Sequence, residues 1–295
     1  MLRDALTLLI SVTIVPMFGC NHVFYYPDAE VRGTPRDQNL AYEDVNFSAA
    51  DGTKLHGWFL PAKTTLATAT VLHLHGNAGN ITGHYRFIDW MPARGLNVLT
   101  FDYRGYGRSE GFVTREGTLA DGLAALDYLR SRKDVDSSRI VLFGQSLGGA
   151  VGAEIAAQRK GQISAVVMDS AFSSYREIAR HHVMAKPVLA VMGWWYPFMI
   201  PIGMDPIDAV PKIAPTPLLL MHGKNDAVVP WTMSNDLYRA AREPKQIWIA
   251  DGMDHTQVWA DRKEEARKRF IEQVESMLRE PTARNTPMRA KPPAP

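Results

Sequence analysis

The sequence predicts an α/β protein: a mostly parallel eight-stranded sheet with helices on both faces and a small apolar cap insertion. Three observations carry this expectation. From about residue 70 onward, short apolar runs alternate with longer segments of helical period, the pattern of strand–helix–strand units in a parallel sheet. Ahead of them, Val45 and Phe47, the turn Asp51-Gly52 and residues 55–60 read as an antiparallel hairpin. In the middle, Ile140-Val141-Leu142-Phe143 runs into Gly144-Gln145-Ser146-Leu147-Gly148-Gly149, and a small-residue helical pattern follows at once.

Taken in order, the chain opens outside the fold. Residues 6–18 are a mostly apolar run after Arg3, the length of a signal-peptide core and short for a membrane span. Cys20, the only cysteine, sits directly behind it. Its position resembles the lipid-acceptor cysteine of bacterial lipoproteins, whose signal ends Leu-small-small-Cys. Gly19 fits that pattern, Met17 is tolerable and Phe18 is too large, so an uncleaved anchor or plain secretion stays open. The expected domain plan is a signal peptide over 1–20, a tether over 21–39, a catalytic domain over 40–280 and a basic, Pro-rich disordered tail over 281–295. The expected location is the cell envelope, attached to the membrane.

Within the domain, residues 70–75, 96–103, 140–143, 163–169, 217–222 and 246–250 read as strands that complete the eight with the hairpin. Helices are expected over 81–93 and over 114–132, where Leu119, Leu123, Leu126 and Leu129 share a face. Leu147, Val151 and Ile155 mark the helix after the serine, and Phe270, Val274, Met277 and Leu278 mark a closing one. Between residues 171 and 215 the alternation breaks. This stretch carries Trp194, Trp195, Tyr196 and Phe198 and is punctuated by Pro187, Pro197 and Pro201. Those prolines and Lys186 argue against a membrane span and for a cap that roofs a cavity, whose rings can also rest on a membrane surface.

Composition excludes several classes. An apolar share of 46% and a charged share of 22% are ordinary for a globular protein. The net charge of +2 is a tail effect, because Arg284, Arg289 and Lys291 sit there without an acid; no nucleic-acid surface is implied. There is no repeat, no Gly-rich nucleotide loop and no metal-ligand cluster beyond the strand pair His73 and His75, which read as structural. No cofactor is expected.

The chemistry centres on Ser146. A Gly-x-Ser-x-Gly pentad alone is a weak signal, but a buried-type strand before it and a helix after it make a tight strand–turn–helix with the serine at the apex. Gly144 and Gly148 let the strand and helix approach, and the helix N-terminus aims free N–H groups at the reaction centre. A serine needs a histidine to take its proton and a carboxylate to orient the ring. In elbows of this kind those partners follow in the order acid, then histidine. Asp226, in His222-Gly223-Lys224-Asn225-Asp226, would emerge at the carboxyl end of a strand, and His255 is the only histidine beyond it. Asp169 is the rival acid. For a developing oxyanion the expected donors are the backbone N–H of Leu147 and that of Asn77, with the side chains of Asn77 or Asn80 as alternatives at the cavity mouth.

These motifs occur together as His75-Gly76-Asn77-Ala78-Gly79-Asn80, Phe101-Asp102-Tyr103-Arg104-Gly105-Tyr106-Gly107, Gly144 to Gly149, His222-Gly223 to Asp226 and Gly252-Met253-Asp254-His255. The set resembles the α/β-hydrolase superfamily in its serine-aminopeptidase-like branch, and is similar to eukaryotic α/β-hydrolase-domain proteins that include depalmitoylases. The resemblance covers about residues 43–280 and implies a cofactor-free serine hydrolase acting on an acyl ester or lipid-like acyl substrate. A peptidase or aminopeptidase on the same triad is the alternative, and a non-catalytic envelope-anchored binding protein the remote one. One fold hosts many chemistries, so the substrate is not implied.

Overall fold

The computed structural model describes residues 24–184, 200–258 and 263–279. Eight strands form one sheet: β1 (Glu43–Ser48), β2 (Lys54–Leu60), β3 (Ala69–Leu74), β4 (Leu96–Phe101), β5 (Ile140–Gln145), β6 (Ala165–Asp169), β7 (Leu218–Gly223) and β8 (Lys245–Ala250). Their order across the sheet is β8-β7-β6-β5-β3-β4-β2-β1. The pairs from β4 to β8 are parallel, and only the leading hairpin β1–β2 and its junction β2–β4 are antiparallel.

The strands are apolar on both faces because both are covered, as parallel sheets require. Alternate residues go opposite ways: Leu72, Leu142, Met168 and Leu220 join one buried cluster, and Val71, Phe143, Val167 and Met221 join the other. Three helices pack on the first face: α1 (Arg115–Ser131), α2 (Leu147–Gln158) and α4 (Thr232–Ala240). The second face takes α5 (Lys263–Arg279), through Phe270, Val274 and Met277, together with the segment after β3. Helix α1 starts where the sequence expects, because Thr114 Oγ1 accepts the Gly117 N–H at 2.9 Å, an N-cap. Helix α3 (Tyr175–Met184) opens the insertion after β6.

Two expectations are corrected. Residues 81–93 are not one helix. A single turn, Ile81–His84, passes into the 3-10 turns Tyr85–Phe87 and Pro92–Arg94. Pro92 lacks the N–H an interior helical residue needs, and the broken path buries Tyr85, Ile88 and Met91 together. Residues 24–39 are not a free tether. Tyr25 is buried in the first cluster, and Tyr26–Pro27 pairs in parallel with Ala78–Gly79. The signal run, Cys20, the ring cluster of the cap and the tail lie outside the described residues. None of the described helices is long and apolar enough to cross a membrane. The far end of the insertion is clamped to the body by Arg115, which donates to Pro201 O and Gly203 O at 3.1 and 2.9 Å, and its two ends to each other by Tyr175 N–H, which donates to Asp205 Oδ1 at 2.7 Å.

Strand β3 has β4 on one side and β5 on the other, so the connections after β3 and β5 diverge. In open α/β sheets the crevice at the carboxyl ends beside such a reversal is where ligands bind.

Candidate active site

Ser146 stands between β5 and α2 with φ 52° and ψ −114°, a strained conformation for a residue with a side chain. The turn is tight because its neighbours lack side chains. A Cβ on Gly144 would lie 2.7 Å from Gly149 Cα, and one on Gly148 would overlap the carbonyl oxygen of Leu74. The Ser146 N–H is held by Asp169 O at 2.8 Å. Leu147, the first residue of α2, follows directly and lines the same cavity as Ser146.

The loops after β7 and β8 supply the other groups. They lie against each other because Gly223 has no side chain: a Cβ there would overlap the carbonyl oxygens of Met253 and Asp254. Asn225 N–H donates to Met253 O at 2.8 Å, and Asp254 Oδ1 accepts from the N–H groups of Ala227 and His255 at 3.1 and 2.7 Å. Across this junction His255 Nδ1 meets Asp226 Oδ2 at 2.7 Å. Asp226 is therefore brought together with His255, and Ser146, Leu147, Asn77 and His255 all line one cavity of about 650 Å³.

Asp226 is a well-held anion. Its Oδ1 accepts the N–H groups of Val228 and Val229 at 2.8 and 2.7 Å. Burial pushes its carboxyl pKa up, but the hydrogen bonds from His222 and His255 outweigh that and hold it well below the usual carboxylate range. His222, fully buried, places Nε2 2.9 Å from both Asp226 Oδ2 and Val229 O. With that N–H facing two oxygens, its Nδ1 must accept from the Ser234 hydroxyl at 2.7 Å. Asp169 is occupied elsewhere: it accepts from Gln145 Nε2 at 3.0 Å and from the Ser170 hydroxyl at 3.1 Å, and burial raises its pKa.

The two strand histidines serve the floor of the site. His73 donates from Nε2 to Gln145 Oε1 at 3.1 Å and accepts at Nδ1 from the Thr100 hydroxyl at 3.0 Å. Gln145 then donates to Asp169, so a buried polar chain runs under Ser146. Burial lowers the His73 pKa to about 3. His75 donates from Nδ1 to Gly76 O at 2.7 Å. Among the described residues no three His, Cys, Asp or Glu side chains converge as metal ligands.

Three features were not foreseen from sequence. His222 shares the acid, Asp254 joins the two loops, and Phe24 and Tyr26 wall the cavity. His222 was visible only as part of a strand motif, and a strand position does not reveal which carboxylate it meets. The rest of the wall is mostly apolar, with Phe87, Phe172, Ile178 and Val183 prominent and His84, His182 and Thr256 as its polar members. No Asp or Glu lines it among the described residues, and residues 185–199 contain none.

Known proteins align with this architecture. The family model described as serine aminopeptidase, S33 matches residues 66–202. The uncharacterized protein YfhR of Salmonella typhi is 40% identical over 270 residues, covering 86% of this chain and 87% of that protein. The α/β-hydrolase domain-containing protein WAV2 of Arabidopsis thaliana is 35% identical over 242 residues, covering 77% and 76%. Among solved structures, an esterase of Pyrococcus furiosus superimposes with a TM-score of 0.71 at 25% identity, over 86% of this chain and 98% of that one.

Proposed function

The chain belongs to the α/β-hydrolase superfamily, its residues 66–202 matching the serine aminopeptidase (S33) model, and from that premise we propose that it is a serine esterase with Ser146, His255 and Asp226 as its triad. The observation that carries the reading is the 2.7 Å contact of His255 Nδ1 with Asp226, beside a strained serine on the same cavity.

With Nδ1–H given to Asp226, the other ring nitrogen, Nε2, is the base for the Ser146 hydroxyl. Oγ attacks the ester carbonyl, and the oxyanion that forms is held by the N–H groups of Leu147 and Asn77. Collapse of this intermediate expels the alcohol, which takes the proton from His255 and leaves an acyl-enzyme. Water then enters, His255 takes a proton from it, and the same steps release the acid and restore the serine.

Ester chemistry is favoured over aminopeptidase chemistry by the cavity wall. A free α-amino group needs a carboxylate to receive it, and neither the described lining nor residues 185–199 offers one. An apolar wall suits a neutral acyl chain, each buried methylene of which gains about 0.8 kcal/mol. The P. furiosus esterase likeness supports the same reading. The test is turnover on matched acyl esters, thioesters and aminoacyl amides, with fluorophosphonate labelling of the wild type and of Ser146→Ala. Esters should be turned over fastest and only the wild type labelled; labelling of the alanine variant would remove Ser146 from its role. The reading extends to an envelope-attached enzyme, on the strength of residues 6–18 and Cys20. Fatty-acid label should enter the wild type and not Cys20→Ala.

A further inference from the structure

The chain before the sheet contributes more contacts to the site than its composition promised. Tyr26–Pro27 adds a short parallel pair to Ala78–Gly79, in the loop that follows β3. The Tyr26 N–H donates to Asn77 Oδ1 at 2.9 Å. The Tyr106 hydroxyl donates to Asn77 O at 2.7 Å, so both oxygens of Asn77 are taken by the protein and its N–H groups are what it can turn toward a ligand. The segment is itself fastened. Gly107 N–H donates to Asp28 O at 2.9 Å, and Asn80 Nδ2 reaches Asp28 Oδ1 and Glu30 O, each at 2.9 Å. Arg32 pairs with Asp28 at 2.7 Å and with Glu30 at 2.9 Å, and its own N–H is received by Thr82 Oγ1 at 2.9 Å. Inside this strap the rings are sorted: Tyr25 goes into the core at 2% exposure, while Phe24 and Tyr26 line the cavity. Phe24 rests edge-on against Tyr175 of α3 at 5.3 Å.

Resting on the esterase reading, we infer that residues 24–32 are a working strap of the active site. The Tyr26 amide positions Asn77 to receive the oxyanion, and the Phe24 and Tyr26 rings bound the acyl chain. The physical need is plain. An oxyanion donor acts through preorganisation, and a Gly-rich loop such as Gly76-Asn77-Ala78-Gly79 has too much conformational freedom to hold a donor without external contacts. Two hydrogen bonds from different parts of the chain, Tyr26 and Tyr106, remove that freedom.

The test is a double-mutant cycle in the full chain. Tyr26→Pro deletes the donor; Asn77→Ala deletes the acceptor and keeps the Asn77 main-chain N–H. Each is expected to lower kcat on a short acetyl ester about tenfold or more with KM little changed, as for a group acting in the transition state. The double variant should lose no more than either single one, because both cut the same bond. Tyr26→Ala keeps the amide and removes the ring. It should lower kcat less than Tyr26→Pro while flattening the preference for longer acyl chains. Amide exchange over residues 76–80 should quicken in Tyr26→Pro and in Asn77→Ala. Additive losses in the cycle, or unchanged exchange over 76–80, would overturn the strap. Exchange needs no turnover, so it judges the strap separately. A wild type inert to esters and fluorophosphonates would instead sink the hydrolase reading.

Discussion

At the scale of single residues, Asp226 is distinguished from Asp169 by what each already holds. Asp226 has one oxygen on two backbone N–H groups and the other on His255, with His222 beside it. Asp169 serves Gln145 and Ser170 beneath the serine. Asp226→Asn should therefore cost on the order of 10³–10⁴ in kcat by favouring the wrong imidazole tautomer. Asp169→Asn should act chiefly on stability, since it disturbs a buried polar chain rather than the proton path. Kinetics and melting temperature of the two variants, measured side by side, check this; a reversed order would move the acid to Asp169. Asp226 also carries a pH signature. Its folded pKa is depressed, so its contribution to stability is complete above the unfolded value of about 3.9 and is lost as the pH falls from there toward the folded one. That Ser146, Asp226 and His255 each sit in a short motif soon after a strand was legible in the sequence. The contacts of His222 and Asp254 were not, because they join loops that only the sheet order brings together.

At the scale of elements, the elbow rests on close approach of α2 to β3. The Cβ that Gly148→Ala would add falls against the carbonyl oxygens of Leu74 and His75, which β3 cannot move without breaking its ladder. Overpacking of this kind typically costs about 1–3 kcal/mol and can cost more. Gly161 offers the control. It has φ +76° and nothing within 4 Å of a new Cβ, so Gly161→Ala should cost only the left-handed backbone, about 1–2 kcal/mol. Because the clash at Gly148 is with backbone rather than a movable side chain, its cost should reach the top of the overpacking range or beyond it, so the urea midpoint of Gly148→Ala should fall below that of Gly161→Ala, with loss of serine labelling in the former alone. Equal midpoints would mean that β3 and α2 part easily. The strands themselves were legible because a buried parallel strand reads as a continuous apolar run. Residues 81–93 were not, since their apolar spacing is helical while Pro92 and the needs of the second core break the helix. The strap was hidden in the same way: Pro27, Gly33 and Pro35 read as a linker, and only the partner loop shows what they dock on.

At the scale of the whole molecule, histidines folded neutral near the floor and wall of the site work against stability in acid. Burial lowers the His73 pKa to about 3, pushes His75 well down and lowers His84. An unfolded histidine titrates near 6.5, so between about 3 and 6.5 these histidines bind more protons unfolded than folded. Their contribution to stability then rises with pH across that window and falls as the pH drops through it, while the raised carboxyls of Asp169, Asp121 and Glu154 act in the opposite sense. For His73 alone the loss on going from pH 7 to pH 5 is about 2 kcal/mol, a large part of the stability of an ordinary domain. The depressed Asp226 does not offset this, because its contribution is still complete at pH 5. Denaturant unfolding at pH 7, 6 and 5 should show the midpoint falling, and His73→Gln should fall less steeply, by up to about 1.4 kcal/mol per pH unit. The variant should be less stable at pH 7, where the Thr100–His73–Gln145 chain is intact in the wild type, and should close the gap as the pH drops. Parallel curves would mean that His73 titrates normally and that the floor of the site admits water. That would also loosen Gln145 and Asp169, whose carbonyl oxygen holds the Ser146 N–H, so the same experiment reports on how rigidly Ser146 is seated.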